Sequence, residues 1–101
     1  MTNHNYRKGA DFERKIANKL RAKGYLVIRS AGSKSLVDLV ALDLKVGKIM
    51  LIQLKNYKLT KPEFERMSAE IRKLAPQPSA EVSFYALEHT GRGTDRMTLI
   101  R

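Results

Sequence analysis

The spacing of the apolar residues changes at Gly24, and this change restricts the chain to a fold that combines a helix with a sheet. Before Gly24, the residues Phe12, Ile16 and Leu20 recur at four-residue intervals, as on one face of an amphipathic helix. After it come short runs of β-branched and other apolar residues, which are typical of strands. The pattern predicts a first helix over residues 9–23 that ends at Gly24, since glycine commonly follows the last turn of a helix.

The rest of the chain divides into strand-like runs and one further helix. Thr60 and Glu63 form a candidate capping box, and Pro62 lies in the first turn, so a second helix should begin near Lys61 and end before Pro76. The order of helix, three strands, helix and two strands predicts an α/β domain with a mixed five-stranded sheet flanked by helices. We expect the strands at residues 25–30, 36–43, 49–55, 81–88 and 96–100, with a loop over residues 89–95.

Length and composition limit the classes of protein to which the chain can belong. Its 101 residues fit one domain, so we expect a single domain over residues 1–101, small enough for dimerisation to add to its stability. The chain has no cysteine, which excludes disulfides and thiolate metal sites and fits an intracellular protein. No apolar run approaches the roughly 20 residues of a membrane span, and the first residues lack the apolar segment of a signal peptide.

The charge of the chain is strongly positive and unevenly distributed. The net charge is +10, and residues 1–61 hold 14 Lys/Arg and 4 Asp/Glu, whereas residues 62–101 hold 6 of each. Such an asymmetry indicates a basic face that meets a polyanion, and we favour a nucleic acid as the partner. The alternative is a basic surface that only keeps the protein in solution.

Four polar residues interrupt otherwise apolar segments. Glu13 shares the apolar face of the first helix, Asp38 interrupts the second strand, and Gln53 and Lys55 share one face of the third strand. Each has a simpler explanation, such as a solvated helix edge for Glu13 or a strand end for the others. The four together are harder to explain in that way, because a buried carboxylate is costly unless it is paired or binds a cation.

The same four residues suit the hydrolysis of a phosphodiester. That reaction uses a divalent cation to polarise phosphate oxygens and to generate a hydroxide, and Mg²⁺ prefers carboxylate and other oxygen ligands. A lysine two positions along the strand from an oxygen ligand projects the same way and can stabilise negative charge on the phosphate. The residues therefore indicate a metal-dependent nuclease.

Three segments make this interpretation more specific. They are RKGADFER at residues 7–14, VIRSAGSK at residues 27–34 followed by VDLVA at residues 37–41, and LIQLK at residues 51–55. In these segments the chain resembles the archaeal Holliday junction resolvases, a branch of the PD-(D/E)xK nuclease superfamily. The resemblance implies a restriction-endonuclease-like core, dependence on Mg²⁺ with Mn²⁺ as a substitute, and a homodimer. It also implies that the substrate is branched DNA, cut at four-way junctions during recombination and repair by paired nicks that leave 5′-phosphates.

The resemblance also implies roles for individual residues. Glu13, Asp38 and Gln53 would bind the metal, Lys55 would be the catalytic lysine, and Ser30 would lie close to the scissile phosphate. Contacts to DNA would come from Arg7, Lys8, Arg29, Ser33 and Lys34. Lys58, just after the third strand, is either a further DNA contact or part of a solvated loop.

Gln53 departs from the family, which usually has glutamate there. A glutamine carbonyl can coordinate a hard cation but brings no charge, so we expect weaker metal binding and a higher Mg²⁺ or Mn²⁺ requirement. Two alternatives stay open: a repair or restriction-type nuclease with another specificity on the same fold, and a DNA-binding protein without catalysis. His4 and His89 are expected to have loop or surface roles, and the near-neutral residues 62–101 are the expected dimer surface.

Overall fold

The sequence folds into two helices and five strands in the expected order. A computed structural model describes residues 3–30, 36–77, 79–91 and 93–100, and it describes residues 3–8 by their backbone alone. The elements are α1 (Asn3–Ala22), β1 (Leu26–Arg29), β2 (Leu39–Asp43), β3 (Lys48–Lys55), α2 (Lys61–Leu74), β4 (Val82–Gly91) and β5 (Thr94–Ile100).

The strands form one mixed sheet in the spatial order β1-β2-β3-β4-β5. Only β3 and β4 are parallel among these neighbours, and the other pairs are antiparallel. Because parallel neighbours need a crossover, α2 connects β3 to β4 across one face of the sheet. The predicted α/β fold with a mixed five-stranded sheet is confirmed, and it is consistent with a restriction-endonuclease-like core.

The larger hydrophobic core lies between α1 and the sheet. The apolar stripe of α1 supplies Ile16, Ala17 and Leu20, each less than 10% exposed. They pack on side chains from four strands, Val27, Leu39, Ala41, Ile52 and Leu87. Leu39 and Ile52 have no exposed surface, so this cluster fixes how α1 lies on the sheet.

A second core lies under α2 on the other face. Ile71 packs with Ala86 of β4 and Ile100 of β5, with Phe64 and Met67 beside them. The predicted capping box is present, since the Glu63 amide donates to Thr60 Oγ1 at 3.3 Å and the Thr60 amide donates to Glu63 Oε1 at 3.0 Å. These two bonds begin α2 where the sequence predicted.

Three predicted boundaries were wrong. The second strand begins at Leu39 rather than at residue 36, so Asp38 lies just before β2 and does not interrupt it. The first helix begins at Asn3 rather than at residue 9. The prediction missed its first turns because the four-residue apolar spacing starts only at Phe12. The loop expected at residues 89–95 is mostly strand, since β4 continues to Gly91 and β5 begins at Thr94. The turn between them is tight because Gly91 and Gly93 adopt φ of 119° and 79°, which glycine reaches without strain.

Across the described ranges, no helix is long and apolar enough to cross a membrane.

Candidate functional site

Ser30, Asp38 and Gln53 come together where the pairing of β1, β2 and β3 ends. The Ser30 amide donates to the Asp38 carbonyl at 2.9 Å, and the Asp38 amide donates to the Ile52 carbonyl at 2.8 Å. The last registered pairs in this region join Arg29 to Leu39 and Leu39 to Ile52. One residue further, the same register sets Ser30, Asp38 and Gln53 side by side on adjacent strands.

The Asp38 carboxyl lies at the end of this pairing and is half-buried. Its Oδ2 accepts a 2.7 Å hydrogen bond from the Leu54 amide, which the pairing with β2 no longer satisfies. Burial raises the pKa of Asp38 above its ordinary value and the charge of Glu13 adds to this effect, while the Leu54 hydrogen bond and the charge of Lys55 oppose it. The anionic form of Asp38 is therefore disfavoured by burial and by the charge of Glu13, and a bound cation would offset that cost.

Glu13 reaches the site from the other layer, on α1. Its Oε1 accepts a 2.7 Å hydrogen bond from Arg29 Nε on β1, and the side chains are 21% and 39% exposed, respectively. Glu13 is therefore an ion-paired residue between helix and sheet rather than a solvated helix edge. The resemblance predicts that Arg29 contacts DNA. In the structure, one of its N–H donors is used by the Glu13 carboxylate.

Gln53 and Lys55 end β3 and alternate with Ile52 and Leu54, whose side chains pack in the core beneath α1. Gln53 Oε1 is buried and has no hydrogen-bond donor within the part of the chain that the structure describes. A buried carbonyl oxygen left without a donor is costly, and a hard cation satisfies it. The donor set of Asp38, Gln53 and Glu13 therefore fits Mg²⁺ or Mn²⁺ in its chemistry.

The site holds fewer acids than a metal centre usually has. Among the described residues, no group of three or more histidines, cysteines, aspartates or glutamates is arranged to hold a metal. The glutamine at position 53 explains this in part, because two carboxylates and one amide remain where three carboxylates would otherwise meet. The expectation of weaker metal binding follows from the same count and stays a prediction.

The predicted DNA contacts are only partly within the described structure. Lys58 is exposed in the segment between β3 and α2. Arg7 and Lys8 lie in the first turns of α1, with side chains outside the description, and Ser33 and Lys34 lie outside the described residues altogether.

Glu88 is a residue that the sequence analysis passed over as part of a strand. It lies opposite Lys55 in the parallel pair of β3 and β4 and is only 4% exposed. Its Oε1 accepts a 2.8 Å hydrogen bond from the Leu59 amide, and its Oε2 accepts one of 3.3 Å from Arg96 Nε. This buried carboxylate therefore connects the segment that follows Lys55 to the sheet. The sequence held one signal for it, because an acidic residue within an otherwise apolar strand indicates a carboxylate that is paired or binds a cation.

His89 also differs from expectation, because it belongs to β4 rather than to a loop. Its Nδ1 lies 3.0 Å from Asp95 Oδ1, and Lys19 of α1 donates to Asp95 Oδ2 at 3.4 Å. The ring of His89 meets the ring of Phe12 edge to face, with centroids 5.8 Å apart. The β4–β5 hairpin thus holds α1 at two points, seven residues apart on one helix face.

Comparison with known proteins assigns the chain to a family. The family model of the archaeal Holliday junction resolvases (Hjc) matches residues 4–77, which include Glu13, Asp38, Gln53 and Lys55. The crossover junction endodeoxyribonuclease Hjc of Methanocaldococcus jannaschii is 45% identical over 58 residues, covering 57% of this chain and 41% of that relative. The matched region thus spans less than half the length of the relative. Since the family model covers most of the chain, the protein belongs to the archaeal Holliday junction resolvase family.

Proposed function

We propose that this protein is a metal-dependent endonuclease that resolves four-way DNA junctions by paired nicks leaving 5′-phosphates. The observation that carries the proposal is the Asp38 carboxyl, held half-buried near the charges of Glu13 and Lys55 and beside the buried Gln53 oxygen, which has no donor among the described residues. Family membership and the printed name of the relative support junction cleavage as the activity. Branched DNA is accordingly the proposed substrate class.

The residues of the site divide into metal ligands and groups that act on the phosphate. Asp38, Gln53 and Glu13 would hold Mg²⁺ or Mn²⁺, which when bound polarises a phosphate oxygen and lowers the pKa of a water. The ammonium of Lys55 would stabilise the negative charge that develops on the phosphate during attack. The Ser30 amide is fixed to the Asp38 carbonyl, which keeps the Ser30 hydroxyl close to where the scissile phosphate would bind.

The basic half of the chain would hold the DNA backbone. All of the excess positive charge lies in residues 1–61, the half that also carries the four site residues. Phosphate contacts fix a protein on DNA without reading its sequence, which suits recognition of junction shape. We propose as contacts Arg7, Lys8, Arg29, Ser33, Lys34 and Lys58, in a protein that works inside the cell.

Paired nicks require two active sites, so we propose a homodimer. In the near-neutral residues 62–101, the edge strand β5 exposes Met97 at 43% and Leu99 at 38%, two apolar side chains on one face of that strand that suit such a contact. Sedimentation of the protein at micromolar concentration tests this proposal, and a monomer under those conditions would contradict it.

A cleavage assay with matched variants tests the proposed activity. A labelled four-way junction and a linear duplex with the same arms are incubated with Mg²⁺ or with EDTA, using wild type, Asp38→Asn and Asp43→Asn. We expect cleavage of the junction alone, only with Mg²⁺, lost by at least about 100-fold in Asp38→Asn because a metal ligand is gone. Asp43 caps a turn through the Lys45 amide, so its variant controls for the loss of an acid on the same strand.

Other outcomes of this assay would replace the proposal. Equal cleavage of the linear duplex would identify a nuclease of the repair or restriction type. Tight junction binding without cleavage in either Mg²⁺ or Mn²⁺ would identify a DNA-binding protein without catalysis, an alternative that the missing carboxylate at Gln53 favours. Full activity of Asp38→Asn would remove Asp38 from the site.

A further inference from the structure

Both carboxylates of the site are already engaged by donors of the protein itself. Glu13 Oε1 accepts from Arg29 Nε at 2.7 Å, and Asp38 Oδ2 accepts from the Leu54 amide at 2.7 Å. Gln53 has an oxygen to offer but no charge. A cation that enters the DNA-free protein therefore meets one carboxylate neutralised by an arginine and another anchored to the backbone.

The charges of the site balance before DNA is bound. Glu13 and Asp38 are negative, while Arg29 and Lys55 are positive, so these four side chains sum to zero. The neighbouring Glu88 is paired with Arg96 and does not change this balance. The affinity of a hard divalent cation depends strongly on the number of charged oxygen ligands. With glutamate at position 53 the balance would be negative, so it is the glutamine of this chain that leaves the site neutral.

Arg29 connects this balance to the substrate. It lies on the edge strand β1, its side chain is 39% exposed, and its guanidinium has donors beyond the one that Glu13 uses. A DNA phosphate brings a negative charge and planar acceptors that arginine binds in a bidentate manner, so it competes with Glu13 for Arg29. Once Arg29 turns to the phosphate, Glu13 is free to face the cation.

We propose that the Glu13–Arg29 ion pair is a latch that keeps the metal site incomplete until the DNA backbone draws Arg29 away. This proposal rests on the proposed function of the same site. It predicts that divalent cation and DNA bind with positive cooperativity, and the coupling is reciprocal by linkage. The free protein binds the cation weakly, and the DNA complex binds it tightly.

The first test measures the cation in the absence of DNA. Mn²⁺ binding to the free protein is followed by the loss of the electron paramagnetic resonance signal of free Mn²⁺. Wild type is compared with Arg29→Gln, Arg29→Lys and Arg14→Gln, the last of which removes an exposed arginine paired with Asp11 on α1. We expect Arg29→Gln to bind Mn²⁺ about 10-fold more tightly, within the range of ordinary coupling. Arg29→Lys and Arg14→Gln should stay close to wild type, because both leave the charge balance of the site unchanged.

The second test measures the same coupling from the side of the DNA. The dissociation constant of a labelled junction is measured by anisotropy in EDTA and in Ca²⁺, a cation with the same preference for oxygen ligands. The dissociation constant in EDTA divided by that in Ca²⁺ should be large in wild type and in Arg14→Gln, and several-fold smaller in Arg29→Gln. Circular dichroism melts of each variant verify that it is folded.

The outcomes separate the latch from the function on which it rests. Unchanged Mn²⁺ affinity in a folded Arg29→Gln, with junction cleavage intact in wild type, would overturn the latch and leave the nuclease standing. A higher Mn²⁺ affinity in Arg29→Gln, together with a wild type that cuts no DNA, would support the latch and overturn the proposed catalysis. An equal increase in the Mn²⁺ affinity of Arg14→Gln would overturn the latch, because the loss of an arginine outside the ion pair would then have the same effect.

Discussion

Replacing Gln53 by glutamate adds one carboxylate to the site, and its effects on stability and on metal binding have opposite signs. In the free protein the new charge faces Asp38 across two adjacent strands, where opposed side chains lie about 5 Å apart. Repulsion of two unit charges at that distance is about 1 to 3 kcal/mol for surroundings between water and a partly buried site. Gln53→Glu should therefore be less stable than wild type in EDTA and should raise the pKa of Asp38 further.

With a divalent cation the sign reverses. The attraction between the added carboxylate and a doubly charged ion about 4 Å away is about 2 kcal/mol even when it is screened as in water. That energy corresponds to about a 30-fold increase in the affinity for the cation. The midpoint of the Mg²⁺ titration should fall by at least that factor. Binding to the native state alone then stabilises the variant more than wild type as Mg²⁺ is added.

Thermal unfolding measured at several Mg²⁺ concentrations reads both effects in one assay. For a domain of about 100 residues, 1 kcal/mol moves the Tm by about 4 to 8 °C, so the deficit in EDTA should be at least about 4 °C. Gln77→Glu, at an exposed position after α2, is the matched control and should show neither effect. An unchanged Tm in EDTA with an unchanged Mg²⁺ midpoint would refute the reasoning, because Gln53 would then lie outside the metal site.

Three further predictions concern the ionised groups. Because burial raises the pKa of Asp38, its anion costs stability at neutral pH, so Asp38→Asn should melt at a higher temperature than wild type at pH 7 in EDTA. That gain should fade as the pH falls below 3.8, because Asp38 of wild type then becomes protonated in both the folded and the unfolded state, and a lower Tm of Asp38→Asn at pH 7 would contradict the prediction. Burial opposes the ionisation of Asp95, but hydrogen bonds led by that of His89 outweigh it and hold the pKa of Asp95 below its ordinary value. Asp95→Asn should therefore lose about 1 to 3 kcal/mol at pH 7 in urea unfolding, a loss that disappears as the pH falls below 3.8; a loss independent of pH would exclude the charge as its cause. Glu88→Gln should cost about 1.5 to 3 kcal/mol in the same assay, whereas the exposed Glu81→Gln should cost little; equal effects would show that the buried contacts of Glu88 contribute nothing.

The sequence predicted those elements whose signals are local. The four-residue spacing of Phe12, Ile16 and Leu20 fixed the apolar face of α1, and Thr60 with Glu63 fixed the start of α2. Alternation along β3 assigned Gln53 and Lys55 to one face without any knowledge of neighbouring strands. The resemblance to the resolvases is confirmed by the family model, on segments that hold these same residues.

The remaining features depend on contacts between distant parts of the chain. Glu13 and Arg29 are 16 residues apart on different elements, and only the rotation of α1 on the sheet brings them within 2.7 Å. His89 and Asp95 were predicted to lie in a loop because polar residues are uncommon in strands. Their structure is instead determined by the pairing of β4 with β5. The Glu13–Arg29 ion pair changes the chemistry of the site, yet no spacing of residues in the sequence predicts it.

The most direct test of the account uses a supercoiled plasmid that extrudes a cruciform, incubated with the wild-type protein and Mg²⁺. Paired nicks across one four-way junction linearise the plasmid in a single binding event, so we expect linear product from the start of the reaction, with 5′-phosphates that a ligase can seal. Asp38→Asn should give no product. Open circles that accumulate before any linear form would contradict paired cleavage, and an intact plasmid in both Mg²⁺ and Mn²⁺ would contradict the nuclease itself.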